Sequence, residues 1–185
     1  LFRSLILGLI GALGGYSYTG KPLMLKYKGL GAPLVFLLFG PLMVIGSYYV
    51  QMQDISAAVI LISIPVGLLT TAILHANDIR DIHHDKNAGI KTLSMLVGKN
   101  NAKKIYYGML ILSYISLIIM ISFGILPLLS LLCLITLPIA FSNSKTLYNS
   151  DISISGLITL DKSTGKLQAQ FGILLIFSIL LSFLL

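Results

Sequence analysis

Long apolar runs without charges dominate the chain, and nearly all of its charges collect in the short segments between them. Ser4–Gly20, Gly29–Gln53, Ile55–Ala76, Ile105–Ser144 and Leu167–Leu185 are the uncharged runs. A bilayer core takes roughly 20 apolar residues per helix. The 40-residue run Ile105–Ser144 is too long for one crossing, and Gly124 and Pro127 predict a tight turn that divides it. The pattern therefore predicts an all-α polytopic transmembrane helical bundle. It forms a single domain over 1–185 with six spans at about 4–20, 33–51, 56–76, 105–123, 126–143 and 167–185.

Composition narrows the class further. Hydrophobic residues make up 56%, charged residues only 10%, and mean hydropathy is +0.95. A soluble domain carries about 25% charged residues. These values exclude a soluble enzyme, a disordered chain and an ordinary nucleic-acid-binding domain. No period of 20–50 residues repeats. The one cysteine, Cys133, sits in an apolar run and reads as a small buried apolar residue.

The formal charge is +7, and all six acidic residues are Asp. Lys21, Lys26 and Lys28 lie between the first two spans. Arg80, Lys86, Lys91, Lys99, Lys103 and Lys104 lie between spans three and four, and Lys145, Lys162 and Lys166 between five and six. With alternating crossings these segments share one side and hold twelve of the thirteen Lys and Arg. The positive-inside rule makes that side cytoplasmic, in a multi-pass protein of the cell membrane. The sequence opens at Leu1 without a signal-peptide order, and an outside start predicts an odd number of spans upstream.

The chemistry-bearing segment follows span three, from His75 through Asn77, Asp78, Arg80, Asp81, His83, His84 and Asp85 to Gly89, Lys91 and Thr92. Asn77, Asp81 and Asp85 stand at i, i+4 and i+8, which on a helix turns through only about 80°. Ionised oxygens on one stripe repel each other unless a cation bridges them. Hard oxygen ligands suit Mg²⁺, held by one or two carboxylates together with substrate phosphates. The plain alternative is a solvated juxtamembrane helix in which Arg80 and Lys86 are topological anchors. A zinc site through His83 and His84 lacks further ligands, and His75 reads as a packed, hydrogen-bonded residue.

The spacing Asn77-x₃-Asp81-x₃-Asp85, with Arg80 inside it and Gly89-x-Lys91-Thr92 after it, resembles the second aspartate-rich motif of the UbiA superfamily of intramembrane prenyltransferases. Tyr18-Thr19-Gly20-Lys21-Pro22, Tyr27-Lys28-Gly29-Leu30-Gly31, Phe39-Gly40-Pro41 and Gly46-x-Tyr48-Tyr49 are more specifically similar to the 1,4-dihydroxy-2-naphthoate polyprenyltransferases of menaquinone biosynthesis. Thr164 and Phe171-Gly172 match the segment leading into the last helix of that family. The resemblance implies that the six spans correspond to helices 4–9 of a nine-helix fold, with a first Asp-rich motif lying upstream of this chain. It also implies that the segment alone lacks half the metal site and is inactive by itself.

The resemblance implies transfer of a polyprenyl group from its diphosphate to 1,4-dihydroxy-2-naphthoate, giving demethylmenaquinone in its reduced quinol form with loss of CO2 and diphosphate. Alternatives are another aromatic acceptor or, in a different class, a cation-binding transporter segment using Asp78, Asp81 and Asp85. Asn77, Asp81 and Asp85 are the expected Mg²⁺ ligands, and Mg²⁺ on Asp81 and Asp85 would stabilise the leaving diphosphate. Arg80, Lys91 and Lys21 are the expected phosphate clamps. Asn77 and Asp78 are expected to touch substrate, with Asp78 alternatively a solvated charge. Tyr18, Tyr48 and Tyr49 are expected to face the allylic cation, with interfacial packing as their plain alternative. The Gly and Pro of Tyr18–Gly31 serve as turn residues in any case. Membrane lipid is the expected surrounding partner, and nucleic acid is not expected.

Overall fold

The computed structural model describes residues 2–151 and 154–184 and is all-helical there. Helix α1 spans Phe2–Thr19 and α2 spans Gly31–Met52. Next come α3, Ala57–Arg80, and the short helices α4, Ile82–Asn87, and α5, Leu93–Val97. Three more long segments follow. They are α6, Lys99–Ser122, α7, Leu128–Tyr148, and α8, Leu160–Ser182. The segments Gly31–Met52, Ala57–Arg80, Lys99–Ser122, Leu128–Tyr148 and Gly156–Ser182 are long and apolar enough to cross a membrane. Helix α1 is not among them, so among the described residues five of the six expected spans meet that length and apolarity.

Local chemistry sets the boundaries. The Ser56 hydroxyl accepts a hydrogen bond from the Ala58 N–H at 3.2 Å and caps α3. Past Ser122 the chain turns through Gly124 and restarts after Pro127, where the sequence predicts the break. Pro41 cannot donate a backbone hydrogen bond, and α2 widens to a π turn over Leu38–Leu42 around it. Helices α6 and α8 start at Lys99 and Leu160, earlier than the predicted spans at 105 and 167. Charged residues end an apolar run, but they do not end a helix.

The core lies where α3, α6 and α8 meet, around Leu69, Ala72, Tyr106, Leu117, Leu167 and Phe171. Small residues bring α2 and α3 into backbone contact. A Cβ added at Gly40 would meet the Gly67 Cα at 2.9 Å and the Ser63 carbonyl at 3.1 Å. Between helices, hydroxyls pair in the apolar interior. Tyr106 Oη lies 2.7 Å from Thr164 Oγ1, Tyr114 Oη 2.7 Å from Thr136 Oγ1, and Ser130 3.0 Å from Ser178. Thr164 and Phe171, part of the sequence resemblance, are both fully buried core residues here. Cys133 is buried, as its apolar run predicts.

Candidate active site

The Asp-rich segment starts inside a helix rather than in a loop. Asn77, Asp78 and Arg80 form the last turn of α3, and Asp81 both ends α3 and opens α4. The Asp81 N–H donates to the Asn77 carbonyl at 3.0 Å, and the Asp85 N–H to the Asp81 carbonyl at 2.8 Å. These two bonds carry a helical pitch through the break. Asn77, Asp81 and Asp85 therefore stand one turn above another, as their spacing predicts.

Arg80 organises this end of the bundle. Its Nε donates to Asp81 Oδ1 at 2.8 Å, Nη2 donates to Asp81 Oδ2 at 3.0 Å and to the Asn77 side-chain oxygen, and Nη1 donates to Asp161 Oδ2 at 2.6 Å. The guanidinium, an expected phosphate clamp, is engaged here by two carboxylates and an amide. Its hydrogen bond holds the Asp81 carboxyl below the usual carboxylate range. Asp161 was not singled out by the sequence. It stands 81 residues beyond Arg80 in the first turn of α8, where an acid also favours the helix N-terminus, and nothing local marks it as a partner.

Asp78 and Asp85 are arranged differently. Asp78 is 5% exposed, which corrects the alternative that it is merely a solvated charge. Among the described residues neither its carboxylate nor that of Asp85 has a hydrogen-bond partner, while each feels the charge of the other's neighbourhood and of Lys26. Burial first, then the charge of Asp81, pushes the Asp85 carboxyl above its ordinary value. Unpartnered carboxylates in electrostatic reach of one another suit a hard divalent cation. Among the described residues, however, no three His, Cys, Asp or Glu side chains form a ready metal-holding group. Both oxygens of Asp81 and the Asn77 oxygen are occupied by Arg80.

The facing wall comes from the segment between α1 and α2. Lys26 Nζ sits 5.9 Å from the centroid of the Tyr18 ring. Tyr18 is half-buried, and its phenol is in electrostatic reach of Asp78. Its ring face is shared with Lys26 rather than left open. Lys26 is a site residue that the sequence reading placed only among the topological charges. Gly29, at φ 76°, turns this segment beneath the loop before α5, where Lys28 and Lys91 form a parallel backbone bridge. A Cβ at Gly29 would run into the Leu96 side chain. Lys91 thus stands beside the site with an exposed side chain; Lys21 is also exposed, and its carbonyl accepts from Tyr16 Oη at 3.1 Å.

Tyr48 and Tyr49 are not brought to this end. They lie in the last two turns of α2, next to the connection that starts α3, whereas Asp81 closes α3. At 1.5 Å per residue the two ends of α3 are about 36 Å apart. Tyr49 is buried and Tyr48 half-buried there. His75 is a packed residue as expected, its Nε2 2.9 Å from the Ala102 carbonyl.

The family profile described as "UbiA prenyltransferase family" matches residues 2–153. The chain belongs to the UbiA prenyltransferase family. It is 33% identical over 172 residues to the Homo sapiens protein named UbiA prenyltransferase domain-containing protein 1, covering 93% of this chain and 48% of that one. It is 36% identical over 182 residues to the protein of the same name from Dictyostelium discoideum, covering 95% and 52%. It is 30% identical over 178 residues to the Bacillus subtilis (strain 168) protein named 1,4-dihydroxy-2-naphthoate octaprenyltransferase, covering 96% and 57%. The UbiA chain described here thus spans about half the length of these relatives.

Proposed function

We propose that this chain forms the part of a membrane-embedded aromatic polyprenyltransferase that handles the diphosphate of the donor. The supporting observation is the meeting of Asp78, Asp81 and Asp85 with Lys26 and Tyr18 at one end of the bundle, in a chain of the UbiA family. The name of the Bacillus subtilis relative supports 1,4-dihydroxy-2-naphthoate as the acceptor. Other members of the family carry a name that specifies no acceptor.

Asp85 and Asp78, with Asp81 once Arg80 yields an oxygen, would hold Mg²⁺. Bound there, the ion would neutralise the charge that develops on the leaving diphosphate. Lys26, beside these carboxylates, and Lys91, from the docked loop, offer ammonium donors to phosphate oxygens. Arg80 acts as a positioning residue that fixes Asp81 and Asn77. The allylic carbon–oxygen bond breaks as a carbon–carbon bond forms at the ring carbon bearing the carboxylate. The carboxylate then leaves as CO2 and returns its bonding pair to the ring, so no proton is gained or lost. Water stays out because the bundle below the carboxylates is apolar. We place the charged loops on the cytoplasmic side, where twelve of thirteen Lys and Arg fall.

The test uses the full-length protein in lipid with a radiolabelled polyprenyl diphosphate. Asp85→Ala and Asp78→Ala are expected to abolish Mg²⁺-dependent transfer to 1,4-dihydroxy-2-naphthoate while the protein stays folded. Full activity in either variant overturns the assigned site. Turnover with a different aromatic acceptor alone overturns the acceptor but not the chemistry.

A further inference from the structure

Helix α6 has two faces with different partners. Ala102, Tyr106 and Leu117 turn into the core toward α3 and α8, whereas Ile111, Ile115 and Ile118 are 45–57% exposed on another face. There, with Phe141 and Tyr148 of α7, they enclose a groove of about 660 Å³. The Asp-rich end of α3 packs against the core side of α6, so this groove is separate from the proposed reaction site.

The groove is charged at one end only. α6 starts at Lys99 and α7 stops at Tyr148, so Tyr107, Lys145 and Tyr148 all sit at the end that carries the charged loops. Lys104, exposed and three residues before Tyr107, continues the same stripe of α6. Among the described side chains no Asp lines the groove, and neither Lys104 nor Lys145 is ion-paired. From Tyr107 to Ile118 the groove runs about 16 Å along the helix, close to half of a ~30 Å hydrocarbon core. That is the depth of one leaflet. Basic pockets between helices at the membrane surface collect anionic headgroups.

We propose that this groove binds a phospholipid with an anionic headgroup, one acyl chain lying on Ile111, Ile115 and Ile118 and the phosphate held between Lys104 and Lys145. Two lysines, one from each helix, flank the mouth and tyrosines border it. A neutral lipid leaves both ammoniums without a counter-charge.

The described chain contains no Trp, so an introduced one adds its own emission. The full-length protein carrying Ile115→Trp is reconstituted in phosphatidylcholine vesicles with rising fractions of phosphatidylglycerol, and one lipid or the other bears brominated acyl chains. Quenching of the added emission is expected at a lower mole fraction of brominated phosphatidylglycerol than of brominated phosphatidylcholine. Lys104→Gln and Lys145→Gln should each shift the half-quenching fraction upward by about fivefold. Ile176→Trp, exposed on α8 away from the groove, should show no headgroup preference. Equal quenching by both lipids at position 115 overturns the proposal, as does a preference that survives both Gln substitutions or appears equally at 176. Displacement of the brominated lipid from position 115 by a polyprenyl diphosphate also overturns it, assigning the groove to the donor tail.

Discussion

Arg80 Nη1 lies 2.6 Å from Asp161 Oδ2 and ties the end of α3 to the start of α8. The pair is partly exposed, with side chains 27% and 21% accessible, so its own contribution to stability is small. Its consequence is positional. With Asp161 holding one arm, the Arg80 guanidinium keeps Asp81 and Asn77 at fixed height on α3. A double-mutant cycle of Arg80→Gln and Asp161→Asn, read by thermal unfolding in detergent, should give a coupling of about 1 kcal/mol. Asp161→Asn should lower kcat for prenyl transfer while Asp85→Ala abolishes it. A coupling near zero with unchanged kcat removes the positioning role.

Asp81 and Asp85 should respond to pH in opposite senses. Asp81 has a folded-state value depressed by Arg80, so its stabilisation is present above the ordinary value of 3.8 and is lost as pH falls through the lower folded value. Asp85 has a folded-state value raised by burial and by Asp81, so its ionised form costs stability at neutral pH. At pH 7 Asp81→Asn is expected to lower Tm and Asp85→Asn to raise it, each change worth less than about 1 kcal/mol of unfolding free energy because both sites are part-exposed. Shifts of the same sign in the two variants contradict this.

Backbone contact between α2 and α3 leaves no room for a methyl at Gly40 or Gly67. An added Cβ at Gly67 meets the Gly40 Cα at 2.9 Å and the Phe36 ring at 3.0 Å. Gly67→Ala should destabilise the full-length protein by about 1–3 kcal/mol in thermal or denaturant unfolding. Gly108→Ala, with open space around it, serves as the neutral comparison.

The Tyr106 hydroxyl donates to Thr164 Oγ1, whose own proton goes to the Leu160 carbonyl at 2.7 Å. Tyr106→Phe therefore leaves no donor stranded on Thr164, and the cost should stay near 0.6 kcal/mol, an average interhelical hydrogen bond. Thr164→Val strands the Tyr106 hydroxyl in the core and should cost more. Unfolding of both variants in detergent decides the order.

Lys26→Ala should raise KM for the polyprenyl diphosphate several-fold with a smaller change in kcat, if its ammonium meets phosphate oxygens. Lys26→Arg should recover most of the loss. An unchanged KM reduces Lys26 to the partner of Tyr18.

The membrane class, the positions of the long helices and the Asn77–Asp81–Asp85 stripe were legible in the sequence. Each depends on local or periodic physics, namely uncharged runs long enough for a bilayer, breaks at Gly124 and Pro127, and a four-residue spacing that helical geometry turns into one face. Tertiary structure alone decided that Arg80 bonds Asp161, that Lys26 lies over Tyr18 beside Asp78, and that Tyr48 stands far from the carboxylates. These relationships join side chains on different elements, and residue spacing carries no information about which helix end meets which. It is the packing of α3 against α6 and α8, and the docking of the Gly29 turn under Leu96, that bring them together or keep them apart.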